Sequence, residues 1–239
     1  MTVAVSPGER FAGFPDEGVQ FLLELQAEQN RAWFKAHQAD FTRLCRKPLE
    51  LFVFELRERL LDVYPGLQQV EPHFFRIQRD TRFARDKSPY KTDVSAYLAT
   101  RPAPDGAEPH AHVPGIYVSF GLDEELIALG CWHVPPELLT RYRAAVDDDR
   151  TGAEIQTIVD TLQREGFGLS AMETLRRVPP PYPREHPRAE LLKHKGLAVH
   201  ATLPDGLAST PGLLDWAEER LRQAAPLAHW LDNTLFANN

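Results

Sequence analysis

Two apolar runs, Ile116-Tyr117-Val118-Ser119-Phe120 and Leu126-Ile127-Ala128-Leu129-Gly130-Cys131-Trp132, stand on either side of a five-residue, largely polar connection, residues 121–125. Two short β-rich runs with so brief a link read as an antiparallel hairpin. Residues 74–83 supply a further strand. Phe75 and Ile77 fall on one of its faces, and Arg76, Gln78, Asp80 and Arg82 on the other, with heads about 6.5–7 Å apart along the row. The three strands are expected as neighbours in one sheet.

Around this hairpin the periodicity is helical. Val19, Leu22, Leu23 and Gln26 mark a first helix ending near Gln29-Asn30, and Trp33, Phe34, His37, Phe41 and Leu44 a second. Pro48 suits the first turn of a third helix, whose stripe is Leu49, Phe52, Val53, Leu56, Leu60 and Val63, stopped by Pro65-Gly66. After the hairpin, Pro136, Leu138, Leu139, Tyr142 and Val146 make another helix. Thr151 and Glu154 read as a capping box ahead of Ile155, Ile158, Val159 and Leu162, and Gly166 ends that helix. Residues 178–187 hold five prolines and form an extended seam, Leu191 and Leu192 a short helix, residues 196–201 a strand, and Pro211 and Pro226 open two last helices. The order predicts an α+β fold, a hairpin-based mixed or antiparallel sheet flanked by N- and C-terminal helices. Residues 1–13 are expected as a tail and 14–239 as one domain.

At 239 residues the chain is long enough to build its core without a metal or disulfide. Cys45 and Cys131 have no metal-ligand spacing and read as buried free thiols of a reducing cytosol. The start, Met1-Thr2-Val3-Ala4-Val5-Ser6-Pro7, lacks a cationic start and an apolar core, so no signal peptide is expected. No run approaches a membrane span. A net charge of -7 argues against broad nucleic-acid binding, which needs many phosphate contacts.

Against that acidic background, residues 76–101 carry seven bases (Arg76, Arg79, Arg82, Arg85, Lys87, Lys91, Arg101) and three acids (Asp80, Asp86, Asp93). A local positive surplus on an acidic chain points to a site that meets an anion. Arg suits the task because its planar fork holds a carboxylate or phosphate by two hydrogen bonds. The competing reading is an ion-pair lattice in which Asp80 and Asp86 neutralise their own neighbours. A second stretch repeats the surplus: Arg176, Arg177, Arg184, Arg188, Lys193 and Lys195 against Glu185 and Glu190. The two either converge on one face or are separate solvated faces.

The pattern Arg76-x-x-Arg79-Asp80-x-Arg82-Phe83-x-x-Asp86-Lys87-x-x-Tyr90 resembles the signature of domain-of-unknown-function family 2461 (DUF2461). Gln29-Asn30-Arg31-x-Trp33-Phe34, Gly130-x-Trp132 and Leu191-Leu192-Lys193-His194-Lys195 resemble its other recurrent elements, so the likeness spans residues 14–235. Cys131 departs from it, a small glycine-like residue being expected before Trp132. The resemblance implies a cytoplasmic, bacterial-type α+β domain with a site around the basic motif, and it implies no reaction.

Two functions from different classes follow. In the first, Arg76, Arg79, Asp80, Arg82, Lys87, Tyr90 and Lys91 bind a small anionic molecule. In an enzymatic version Asp80 or Asp86 serves as general acid or base and Tyr90 donates a proton or hydrogen bond. In the second, the basic face docks an acidic protein or a nucleic acid without catalysis. His110-x-His112, with His194 or His200, has no carboxylate at fixed spacing, and Cys131 with His133 lacks an orienting third group. No metal, no cofactor and no membrane partner is therefore expected.

Overall fold

The computed structural model describes residues 8–82, 85–103 and 113–236. Its first third is helical: α1 (Asp16–Glu28), α2 (Arg31–Ala36), α3 (Gln38–Phe41) and α4 (Lys47–Arg59). Between α3 and α4 the chain makes a π-turn, Thr42–Arg46, and the helix runs through it unbroken. Pro48 explains the widening, since it has no N–H to give to the turn before it. The buried side of α1 is Phe21, Leu22 and Leu25, whereas Val19 and Leu23 face out, so the expected stripe is rotated. Phe11, in the expected tail, lies in the core, and its N–H donates to the Glu55 carboxylate of α4.

The sheet contains β1 (His73–Phe74), β2 (Asp93–Ala99), β3 (Gly115–Gly121), β4 (Leu126–Cys131), β5 (Gly168–Ser170) and β6 (Leu197–Thr202). Its order is β1-β2-β3-β4-β6-β5, and every pair is antiparallel. The β3–β4 hairpin stands where the sequence puts it. The strand expected over residues 74–83 does not: β1 stops after two residues, and β2 separates it from β3. β2 eludes a propensity reading because Ser95, Ala96 and Ala99 are weak strand formers. Its partners on both sides hold it extended regardless.

Because side chains alternate along a strand, the register fixes two faces. Val94, Ala96, Leu98, Ile116, Val118, Phe120, Ile127, Leu129, Leu197 and Val199 are all buried on one. Against that face pack α4, α8 (Gly212–Gln223) and α9 (Ala225–Leu231). The other face aligns Ser95 with Ser119, Tyr97 with Tyr117, Tyr117 with Ala128 and Ala128 with His200. Antiparallel sheets commonly keep one face for the core and leave the second for solvent or ligand.

At the far edge α5 (Pro136–Asp147), α6 (Asp149–Arg164) and α7 (Ala189–Lys193) close the structure. The cap of α6 is Asp148, whose carboxylate accepts from the N–H groups of Arg150 (3.0 Å) and Thr151 (2.8 Å). Thr151, expected in that role, lies one turn in and gives its hydroxyl to Ala145 O at 2.7 Å. The earlier Asx residue wins because a carboxylate is the stronger acceptor for orphan amides. Among the described residues no helix is long and apolar enough to cross a membrane.

Candidate functional site

The basic motif lies on an irregular pair of arms between β1 and β2. Residues 75–79 run antiparallel to 89–95, tied by Phe75 N–H to Ser95 O (3.0 Å), Lys91 N–H to Ile77 O (2.8 Å) and Arg79 N–H to Pro89 O (2.9 Å). Beyond Arg79 the side chains bond locally and turn the chain. Asp80 accepts from the Arg82 N–H at 3.2 Å and from its guanidinium at 2.9 and 2.6 Å, a two-pronged pair. Short polar side chains that bond nearby backbone favour turns over strands. Phe83 lies outside the described residues.

Part of this charge is neutralised within the motif. Arg79 donates to Asp86, which also accepts from the Ser88 hydroxyl (2.6 Å) and N–H (2.8 Å). The second Arg79 nitrogen comes within 3.8 Å of Asp123. Lys87 gives its ammonium to Thr81 O at 2.8 Å. Arg101 leaves the group altogether, pairing with Asp232 at 3.4 Å and lying over the Phe236 ring. The expected surplus therefore shrinks to six bases facing Asp80, Asp86, Asp93 and Asp123. The lattice describes Asp80, Asp86, Arg79 and Arg82 better than an open anion clamp does.

The Asp80 side chain is 45 % exposed, because the arms loop away from the sheet. Hydrogen bonds from Arg82 hold its carboxyl well below the usual carboxylate range. A depressed acid adds stability above its ordinary pKa and loses it as pH falls through the folded value. Solvent screening keeps so exposed a pair weak. Asp86 is lowered too, chiefly by Ser88 and then by Arg79.

Tyr90, expected as a proton or hydrogen-bond donor, is a core residue. Its ring is buried and stacks on Phe34 with centroids 4.5 Å apart. Its backbone is clamped by one side chain, Gln29, which accepts from Tyr90 N–H at 3.1 Å and donates to Tyr90 O at 3.3 Å. Two sequence elements sixty residues apart, Gln29 to Phe34 and the end of the basic motif, thus join to seat the arm that leads to Lys91.

Lys91 is the motif residue that reaches a cavity. A groove of about 630 Å³ runs over the second face of the sheet. Its walls are aromatic and apolar, with Phe75, Tyr97, Tyr117, Leu126, Ala128 and Trp132. Lys91, Ser95, Glu124, Ser170 and His200 supply the polar atoms. Trp132 is 53 % exposed, an unusual position for so large a ring. Lys91 holds its ammonium 5.4 Å from the Phe75 ring centroid. Tyr97 gives its hydroxyl to Val113 O at 2.5 Å, and burial raises the pKa of both groove tyrosines.

Asp93 falls on the same strand face as Ser95 and Tyr97, between Lys91 and the groove floor. Burial pushes its carboxyl above the ordinary 3.8, with Lys91 opposing the shift and Asp123 adding to it. In the window between ordinary and raised values the folded state binds more protons, so stability falls as pH rises through it. Asp93→Asn stays neutral and is expected to gain stability relative to the parent as pH rises above 3.8. Urea midpoints at a series of pH values measure this, and a difference flat with pH counts against it.

Other candidates resolve as structural. Cys45 and Cys131 are buried and their thiols are pushed up to about 12, which leaves them inert as nucleophiles. Cys131 faces the core and meets the His133 carbonyl at 3.3 Å rather than an imidazole base. In the second basic stretch Arg188 caps α5, donating to Val146 O (2.5 Å) and Asp147 O (2.7 Å). Lys193 pairs with Glu190 and Lys195 with Glu173. His110 and His112 lie outside the described residues.

Asp93, Ser95, Tyr97 and Tyr117 were not singled out from sequence as site residues. A signal existed in the alternation of polar and aromatic residues at 93, 95, 97 and 117, but it acquires meaning only once β2 is paired with β3. A family model described as conserved hypothetical protein (DUF2461) matches residues 17–230. No curated protein and no solved structure matches the chain.

Proposed function

We propose, from the premise that this chain belongs to the DUF2461 family, that it binds a small molecule in the groove over the second face of its sheet. The ligand has a flat, largely apolar body and one carboxylate or phosphate. The observation that carries this reading is the groove itself: about 630 Å³, walled by aromatic rings, with one motif lysine at its rim. Small-molecule sites are concave, mostly apolar and supplied with a few placed polar groups. Tyr97, Tyr117 and Trp132 would flank the body, and Lys91 would meet the anion. The rest of the basic motif acts as the brace that holds Lys91 in place, through the pairing of residues 75–79 with 89–95. Docking of an acidic protein or a nucleic acid is less favoured, because Arg79, Arg82 and Lys87 already have partners.

Three probes of matched size separate the possibilities: benzoate, phenyl phosphate and benzyl alcohol, titrated by NMR. The two anions are expected to shift resonances of Tyr97, Tyr117 and Trp132. Lys91→Met is expected to weaken them by about tenfold or more, as loss of a charge-assisted hydrogen bond does, while benzyl alcohol is unaffected. No shift at groove residues would sink the reading. Anion binding that survives Lys91→Met but is lost in Arg79→Ala or Arg82→Ala would return the site to the motif's arginines.

A further inference from the structure

Ser95 and Ser119 sit directly opposite one another in the β2–β3 register, on the groove side of the sheet. Ser95 is 2 % exposed and Ser119 0 %. Ser95 lines the cavity, and among the described residues neither hydroxyl has a hydrogen-bond partner of good geometry. The Asp93 carboxyl interacts with Ser95 and the Tyr117 phenol with both hydroxyls, in a geometry that stops short of a made hydrogen bond. A buried hydroxyl without a partner costs folding free energy that alanine would not. Alanine is sterically at home here, since Ala96 and Ala128 occupy neighbouring strand positions. Two unpaired hydroxyls side by side beneath a ligand-sized cavity are polar groups awaiting a partner from outside the chain.

The surrounding charge says what that partner is. Asp93, Asp123 and Glu124 stand at this end of the groove, where Lys91 is the one lysine or arginine among the lining residues, so one anion is matched by Lys91 and a second is not. A serine hydroxyl both donates and accepts, which matches an uncharged oxygen that does the same. We propose that the Ser95–Ser119 pair is a subsite for a hydroxyl or carbonyl oxygen of the groove's ligand, making the ligand a hydroxy- or oxo-substituted carboxylate or phosphate. The assignment rests on the groove reading above and adds the second point by which the ligand is recognised. With the anion on Lys91 and the neutral oxygen over the serines, the ligand has one orientation along the groove.

Ser95→Ala, Ser119→Ala and the double variant test this by thermal melting and by NMR titration. The probes are benzoate and its three monohydroxylated isomers. The parent is expected to prefer at least one hydroxylated isomer over benzoate by about tenfold. The double variant is expected to lose that preference, to keep the parent's affinity for benzoate, and to melt at or above the parent's temperature. A structural role would instead lower the melting temperature, because a hydrogen bond of the fold would have been removed, and that result overturns the subsite. So does a hydroxyl preference that survives in the double variant. A parent that binds benzoate in a Lys91-dependent way without preferring any hydroxylated isomer overturns the subsite and leaves the groove reading standing. Failure of every probe to bind overturns both.

Discussion

Truncating Phe52 to alanine is expected to lower stability by about 3–5 kcal/mol, the usual loss for a large aromatic deleted from a core. Phe52 is fully buried on α4 and is the centre of an aromatic chain. Its ring meets Phe11 edge-on at 5.2 Å and Phe120 edge-on at 5.2 Å, and Phe120 lies 4.4 Å from Phe14. One side chain therefore joins the N-terminal segment, α4 and the central strand β3. Little can collapse into the space it leaves, since helix and sheet are both rigid and each is packed on its other neighbours. Urea denaturation should show a lower midpoint at an unchanged m-value. A loss below about 1.5 kcal/mol would mean that the helix layer slides to fill the cavity. Phe120 follows Ser119 in β3, so such sliding would also be felt in the groove.

How far the sequence reveals this architecture depends on the range of the interaction. The helices and the β3–β4 hairpin are legible because their signals, apolar periodicity and a short polar link, lie within a dozen residues. The failures involve partners far away. Phe11 counts as tail until Phe52 is seen beside it. The stripe of α1 is rotated because Phe21 packs with Trp33 and Phe41, so that Val19 and Leu23 face outward. β2 is made of residues with little strand preference and exists because β1 and β3 pair with it.

The same distinction governs the site. Local reading found the basic motif and weighed an ion-pair lattice against an anion clamp. It could not show that Arg79 meets Asp123, that Gln29 clamps Tyr90, or that Lys91 is delivered to a groove. The groove needs the alternation of two strands and the pairing between them. Its residues, Ser95, Tyr97 and Tyr117, look individually like ordinary surface positions.

Gly130 carries the second large effect. Gly130→Ala is expected to destabilise by more than about 2 kcal/mol, and Gly130→Val by more again, from combined backbone strain and steric overlap. Its φ of +143° lies where side-chain-bearing residues are strained. Space is lacking as well. A Cβ would fall 2.3 Å from Leu197 O, 2.5 Å from the Ala198 Cα and 2.9 Å from the Ala198 Cβ, between β4 and β6. The obstruction is backbone, so no rotamer change on a neighbour relieves it, and the two strands must part. Gly130 also lines the groove and stands two residues before Trp132. Parting β4 from β6 would therefore shift the exposed ring and the Ala128–His200 pair together. Hydrogen exchange is the direct measurement: amides of β4 and β6 should lose protection in Gly130→Ala more than those of β2 and β3. Uniform loss across the sheet would mean that the strain spreads, and full retention would mean that Gly130 is spared the close approach described for it.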